Sequence, residues 1–220
     1  MRIKYSLLSA ILLIFSFCLF CQSISVDYDS ISNNILKENS AKIIECGVKV
    51  QYKSKKSFDD ICQNIFTNVS RSYVIVSKEI KPSYFDITFK KDNIAYEIFA
   101  SVEDSVTMVS ATSIATDNRN ETNGLKKQLE KVLYDASIDV QYFSYVKGKI
   151  ITDNIKNNIE LTERALVKYG GAADVDTIKL NSGFTGVARL KDNTAINYAI
   201  SENDKGTYLI IGTPIIFITY

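Results

Sequence analysis

Alternation of apolar and polar residues recurs along the chain and predicts β-strands. It is clearest in residues 41–52, and the β-branched and aromatic run at 206–218 predicts a last strand that is buried on at least one face. Similar runs predict eight more strands, at 72–77, 84–90, 93–101, 105–114, 138–146, 173–180, 184–190 and 193–201. The pattern therefore predicts a largely β protein with short turns.

Apolar residues spaced three and four apart predict four helices, at 27–38, 57–70, 119–136 and 153–169. Ser57 is placed to cap the second helix, with Asp60 completing a capping box. Thr152 is placed to cap the fourth, and Gly170-Gly171 is expected to end it.

The element order of residues 41–137 recurs in residues 138–220. Each segment reads strand, helix and four strands, and Lys91-Asp92-Asn93 recurs as Lys191-Asp192-Asn193 one hundred residues later. Chance reuse of turn residues is the alternative explanation. We predict an α+β fold in which duplicated β-α-β4 halves, joined by the helix at 119–136, form one curved antiparallel sheet with the helices on one face.

Residues 1–23 have the pattern of a secretory signal. Arg2 and Lys4 precede an apolar run at 5–21 that only serines interrupt. We expect a signal peptide that is cleaved after Ser23, with an uncleaved N-terminal membrane anchor as the alternative. Residues 24–40 then form a linker that contains the first short helix.

Composition excludes several kinds of site. The chain has no histidine, which rules out Ser-His-Asp triads, Cys-His dyads and imidazole metal ligands. Lys and Arg number 26 against 25 Asp and Glu, and loss of the two cations in residues 1–23 leaves 24 against 25, a net charge of −1. Because cations supply most affinity for duplex DNA, we expect no nucleic-acid partner.

Cys46 and Cys62 are the cysteines outside residues 1–23, and both fall on predicted apolar faces. Two buried thiols are the favoured arrangement, and a disulfide is the alternative because an oxidising compartment permits one.

The end of the chain resembles a known family. Gly206-Thr207 and Gly212-Thr213-Pro214-Ile215 are separated by four residues, and the chain closes on Tyr220. This block resembles the signature of the YwmB-like family of bacterial extracytoplasmic proteins, which are similar in fold, not in function, to the TATA-box-binding protein. The resemblance implies that residues 41–220 are a YwmB-like domain with a saddle fold, in halves 41–137 and 138–220. It implies no established activity, and Thr219 stands where the family commonly has an acidic residue.

No catalytic, cofactor-binding or metal-binding residue is predicted. Gly206 and Gly212 fit no phosphate-binding spacing. The acidic clusters at 103–104 and 202–204 fall at predicted hairpin tips, where solvated charges are the usual arrangement. A cation site or an acid/base pair there is the alternative.

The sheet face without helices, if it is open, would be a surface suited to a peptide, a glycan strand or a partner protein. On the strand at 84–90, Phe85, Ile87 and Phe89 should face the core, with Tyr84, Asp86 and Thr88 on the other side. Thr107, Val109 and Ala111 are also expected on that outer face. The basic cluster Lys53, Lys55 and Lys56 is expected on a loop away from it. The face is alternatively closed by loops or by a second copy.

These observations predict an extracytoplasmic cell-envelope protein, either secreted or anchored to the outer face of the cytoplasmic membrane through residues 5–21. The favoured function is a non-catalytic binding or scaffold module for an envelope protein, peptide or glycan. A histidine-free hydrolase that uses Asp/Glu pairs, and a structural subunit that forms a homodimer through a sheet face, are the alternatives.

Overall fold

The structure is a computed structural model of the chain and describes residues 27–116, 121–133, 138–151 and 155–218. The helices in these residues are α1 (Tyr28–Glu38), α2 (Phe58–Ser70), α3 (Thr122–Leu133) and α4 (Ile155–Gly170). The strands are β1 (Ala41–Ser54), β2 (Val74–Lys81), β3 (Tyr84–Lys91), β4 (Ile94–Glu103), β5 (Val106–Ala115), β6 (Ile138–Ile150), β7 (Ala172–Leu180), β8 (Gly183–Leu190), β9 (Ala195–Asn203) and β10 (Gly206–Thr213).

The ten strands form one sheet in the order β2-β3-β4-β5-β1-β6-β10-β9-β8-β7. Every neighbouring pair is antiparallel, as expected where short turns join successive strands. β1 and β6 lie side by side in the middle, and the pairing runs from Ala41 opposite Ile150 to Lys53 opposite Ile138. The predicted α+β class and the single antiparallel sheet are confirmed.

The apolar stripes of the four described helices and one face of the sheet form a single core. On β3 the buried side chains are Phe85, Ile87 and Phe89, as the alternation predicted. Cys46 and Cys62 lie in this core as buried thiols, not as a disulfide. Full burial of a side chain such as Phe or Ile contributes about 1.5–3 kcal/mol, so this helix-covered face dominates the stability of the domain.

Helix α1 packs into the same core. Ile31, Ile35 and Leu36 are buried, and the helix lies against α4 and β1. Its first residue, Tyr28, donates a 2.7 Å hydrogen bond from its hydroxyl to the carbonyl of Ile211. The segment directly before β1 is therefore held by the second half of the sheet.

The described helix ends follow most of the predicted chemistry. Ser57 Oγ accepts a hydrogen bond from the backbone N–H of Asp60 and caps α2 as predicted. The Asp60 carboxylate accepts a 2.7 Å hydrogen bond from the Ser57 hydroxyl and not from the Ser57 backbone N–H, so the predicted capping box is not formed. Gly171 ends α4 at φ +63°, a conformation that glycine adopts without strain. Thr152 lies outside the described residues.

Residues 1–23 also lie outside the described residues. None of the helices that the structure describes is long and apolar enough to cross a membrane.

The last strand ends earlier than predicted. β10 stops at Thr213, whereas the sequence pattern predicted a strand as far as Ile218. Pro214 follows in a cis peptide bond and has no backbone N–H to donate to the ladder. Residues 214–218, here called the C-terminal tail, leave the strand at this point.

Candidate functional site

One face of the sheet is not covered by the described helices, and we call it the helix-free face. On β3 it carries Tyr84, Asp86 and Thr88, as predicted, and each of these residues is half-buried. The prediction was wrong for β5. Thr107, Val109 and Ala111 point into the core, because Val109 and Ala111 lie opposite Tyr52 and Val50 on β1. The helix-free face of β5 is formed instead by Val106, Met108, Ser110, Thr112 and Ile114.

The C-terminal tail covers the second half of this face. The ring of Phe217 packs edge-on against Tyr145, with ring centres 5.1 Å apart, and lies 6.5 Å from Phe143. The side-chain amide of Asn197 donates to the carbonyl of Pro214. Ile210 is 0% exposed although it faces away from the helices. The tail therefore crosses β9, β10 and β6 and provides a second, smaller apolar contact.

Tyr145 is held rigidly beneath the tail. Its hydroxyl donates a 2.8 Å hydrogen bond to Glu45, and its ring occupies the space where a side chain on Gly47 would lie. Burial, together with this hydrogen bond to a carboxylate, raises the pKa of Tyr145 well above its ordinary value. This tyrosine is a neutral structural donor at neutral pH.

The first half of the helix-free face is open among the described residues. Tyr84 and Phe99 pack edge to face with ring centres 5.1 Å apart, and the Tyr84 hydroxyl donates to Asp86. Burial lowers the pKa of Lys49, and the negative charge of Glu97 opposes that shift only in part. Aromatic rings, a cation and carboxylates thus lie on one partly exposed surface.

A pair of glutamines lies at the centre of the sheet. Gln51 of β1 lies directly opposite Gln141 of β6, and the core positions on either side of Gln51 turn its side chain to the helix-free face. Gln51 is only 6% exposed. The Oε1 atoms of both glutamines are buried and accept no hydrogen bond from any residue that the structure describes. An unsatisfied buried polar group costs about 1–3 kcal/mol, so two adjacent acceptors at one site need an explanation.

Lysines extend this surface beyond the glutamines. Lys147 and Lys149 lie 5.1 and 6.0 Å from the ring centre of Tyr208 on β10. Lys53 lies on β1 opposite Met108, which places it on the helix-free face. The prediction that put it on a loop away from that face was wrong, because β1 continues to Ser54.

The other sequence candidates form no reactive site. The acidic residues at 103–104 and 202–204 lie at exposed hairpin ends, as predicted. No group of three or more metal-ligating side chains occurs among the described residues. Gly206 and Gly212 belong to β10, where a side chain on Gly212 would collide with Ile216 of the tail.

Comparisons with known proteins name no family. No protein-family model matches the chain, and no curated protein matches it. Among solved structures it is similar to the crystal structure of DynU16, a protein in the dynemicin biosynthetic locus. The sequence identity is 9%, the TM-score is 0.27, and the match covers 76% of this chain and 86% of that chain. A likeness at that level carries no functional argument.

Sequence reasoning missed the glutamine pair. Gln51 and Gln141 are ordinary polar positions in two alternating strands, and only the pairing of β1 with β6 brings them together. One signal in the sequence could have found it. Both central strands carry a glutamine at a position that the alternation of apolar and polar residues places on the face away from the core.

Proposed function

We propose that the protein is an exported, non-catalytic binding module of the cell envelope and that its helix-free face is the binding surface. The ligand is an extended glycan or peptide strand. The observation that carries this proposal is that the buried acceptors of Gln51 and Gln141 have no partner among the described residues. A ligand that lies over the two side chains, turns their amides outwards and donates O–H or N–H groups to them would remove a cost of about 1–3 kcal/mol for each atom.

The surroundings of the glutamines suit such a strand. Half-buried Tyr84 and Phe99 offer ring faces and edges, and Met108 offers an adaptable apolar contact. Lys49 and Lys53 supply cations for carboxylates on the ligand. A glycan and a peptide both repeat O–H or N–H donors along their length, so either chain can satisfy neighbouring acceptors.

We also propose that the domain is a duplicated β-α-β4 saddle related to the YwmB-like family. Supporting this, the strand order is symmetric about the β1–β6 pair, with β5, β4, β3 and β2 on one side and β10, β9, β8 and β7 on the other. The recurring turns at 91–93 and 191–193 join equivalent hairpins, β3 to β4 and β8 to β9. An experimental structure in which the two halves do not superpose would contradict this.

Duplex DNA is not among the proposed ligands. The mature net charge of −1 provides no general surplus of cations, although lysines gather on the helix-free face. The absence of histidine and the exposed positions of the acidic hairpin residues support a non-enzymatic role. Export, through residues 1–23, would place the domain next to envelope polymers.

Site-specific photo-crosslinking in intact cells tests the proposal. A photoreactive amino acid at Ser110, on the helix-free face, should capture an envelope ligand. The same residue at Lys131, an exposed position on α3, should not. Sensitivity of the adduct to a muramidase identifies a glycan, and sensitivity to a protease that spares the domain identifies a peptide or protein. Equal capture from both positions, or none from Ser110, contradicts the proposed surface.

A further inference from the structure

A second surface lies at the outer edge of the second half. A groove with a volume of about 480 Å³ runs between α4 and the edge strand β7. Its walls are Glu163, Arg164, Val167 and Lys168 on the helix and residues 172–175 on the strand. Val167 is 55% exposed, so an apolar side chain stands open to solvent at the wall of the groove.

The strand beside the groove has free backbone groups. β7 is the last strand of the described sheet and pairs only with β8. The carbonyl of Asp176 points towards β8, where it would lie 2.6 Å from a side-chain carbon on Gly186. Backbone direction alternates along an antiparallel strand, so the N–H and C=O groups of Val175, Thr177 and Lys179 point outwards.

In the first half, side chains fill the corresponding space between the helix and the edge strand. Between α2 and the other edge strand, β2, the ammonium of Lys78 lies 3.8 Å from the centre of the Phe66 ring. Beside it, Tyr73 packs edge-on against Phe89 and Tyr96. The two edges of the sheet therefore differ, and the groove between helix and strand occurs at β7.

Charges of both signs line the groove, and most of them have partners. Glu163 accepts a hydrogen bond from the Thr177 hydroxyl, Lys168 is paired with Glu38, and Asp174 and Asp176 both bind Arg189. Arg164 donates from Nε to the carbonyl of Glu160 and makes no salt bridge with a carboxylate of the described residues. Its charge is available to a ligand beside Val167.

We propose that the groove between α4 and β7 binds an extended peptide that adds to β7 as an eleventh strand. The peptide pairs with the outward backbone groups of Val175, Thr177 and Lys179. It places an apolar side chain in the groove against Val167 and a carboxylate near Arg164. Strand addition is a general mode of peptide recognition in which main-chain hydrogen bonds supply affinity and a neighbouring pocket supplies specificity. The site is separate from the helix-free face.

The test uses a phage-displayed library of random peptides selected on the purified full-length chain in mild detergent. Enriched peptides should combine an apolar residue with Asp or Glu. When bound, they should slow hydrogen exchange of the Val175, Thr177 and Lys179 amides. Val167→Glu places a negative charge in the groove, which repels the acidic residue of the peptides, and should weaken their binding at least about tenfold. Lys179→Pro removes an outward N–H and should weaken binding by at least the same factor.

Matched changes at the other edge provide the controls. Val76 on β2 is 61% exposed and is the match for Val167. Ile80 lies one residue before the end of β2, as Lys179 lies one residue before the end of β7. Val76→Glu and Ile80→Pro should leave binding unchanged. The proposal is overturned if no peptide is enriched, if enriched peptides protect β2 instead, or if Val167→Glu and Lys179→Pro both bind as the wild type does.

Discussion

Replacement of Gln51 by leucine should make the folded protein more stable. The side chain is 6% exposed, and its Oε1 has no hydrogen-bond partner in the described part of the chain. The wild-type residue therefore carries the cost of a buried unsatisfied acceptor, about 1–3 kcal/mol. Leucine has a similar size and no polar atom. We expect the free energy of unfolding to rise by about 1 kcal/mol, which for a domain of this size raises Tm by roughly 2–4 °C.

The same substitution at Gln128 is the matched control. Gln128 on α3 accepts a hydrogen bond from the hydroxyl of Tyr96, which is almost fully buried. Gln128→Leu leaves that hydroxyl unsatisfied and should lower the free energy of unfolding by about 1–3 kcal/mol. The two changes are chemically identical and are expected to have opposite signs.

Urea and thermal unfolding of the wild type and both variants, followed by circular dichroism, measure these differences. A loss of more than about 1 kcal/mol in Gln51→Leu would refute the reasoning, because the amide would then be satisfied within the fold. The glutamine pair would in that case be structural, and the case for a ligand at this place would fail.

Other predictions concern the tail, alkaline stability and export. Phe217→Ala should lower the free energy of unfolding in urea by about 1–3 kcal/mol, because the ring covers Tyr145, and an unchanged value would mean that the tail does not cover this face. Burial raises the pKa of Tyr198 to about 12, so the unfolded state loses its proton first and stability should fall between about pH 10 and pH 12. Tyr198→Phe should make that fall less steep in pH-dependent thermal melts, and an unaltered slope would exclude this group as its source. A reporter fused after Ile24 should be active outside the cytoplasm, and activity confined to the cytoplasm would exclude export.

Local chemistry explains which elements the sequence predicted well. Phe85, Ile87 and Phe89 alternate with polar residues, so their burial follows from the pattern alone. Ser57 and Asp60 are three residues apart, and the cap that Ser57 Oγ forms on the Asp60 N–H needs no information from the rest of the chain. Gly171 is likewise a local signal for the end of a helix.

The sequence pattern could not predict which face of β5 is buried. Its two faces carry similar residues, with Thr107 and Val109 on one side and Ser110 and Thr112 on the other, so hydropathy does not distinguish them. Only pairing with β1 and β4 decides which set is buried. The sequence pattern therefore predicted the strand but assigned its faces wrongly.

The C-terminal tail shows how an apolar run can mislead. Ile215 to Ile218 continue the composition of β10, and a longer strand was the natural prediction. Pro214 ends the ladder, and the apolar residues then pack on the other face of the same sheet, around Tyr145. The glutamine pair depends on strands far apart in sequence, so no local pattern indicates it.

The central claim is that a ligand donates hydrogen bonds to Gln51 on the helix-free face. The most direct measurement is the yield of the photo-crosslinked adduct from Ser110 in cells that carry Gln51→Leu, relative to cells with the wild-type glutamine and with Gln128→Leu. Our account predicts that Gln51→Leu lowers the yield per folded molecule at least about fivefold, whereas Gln128→Leu leaves it unchanged. Undiminished capture by Gln51→Leu, at equal amounts of folded protein, would contradict it.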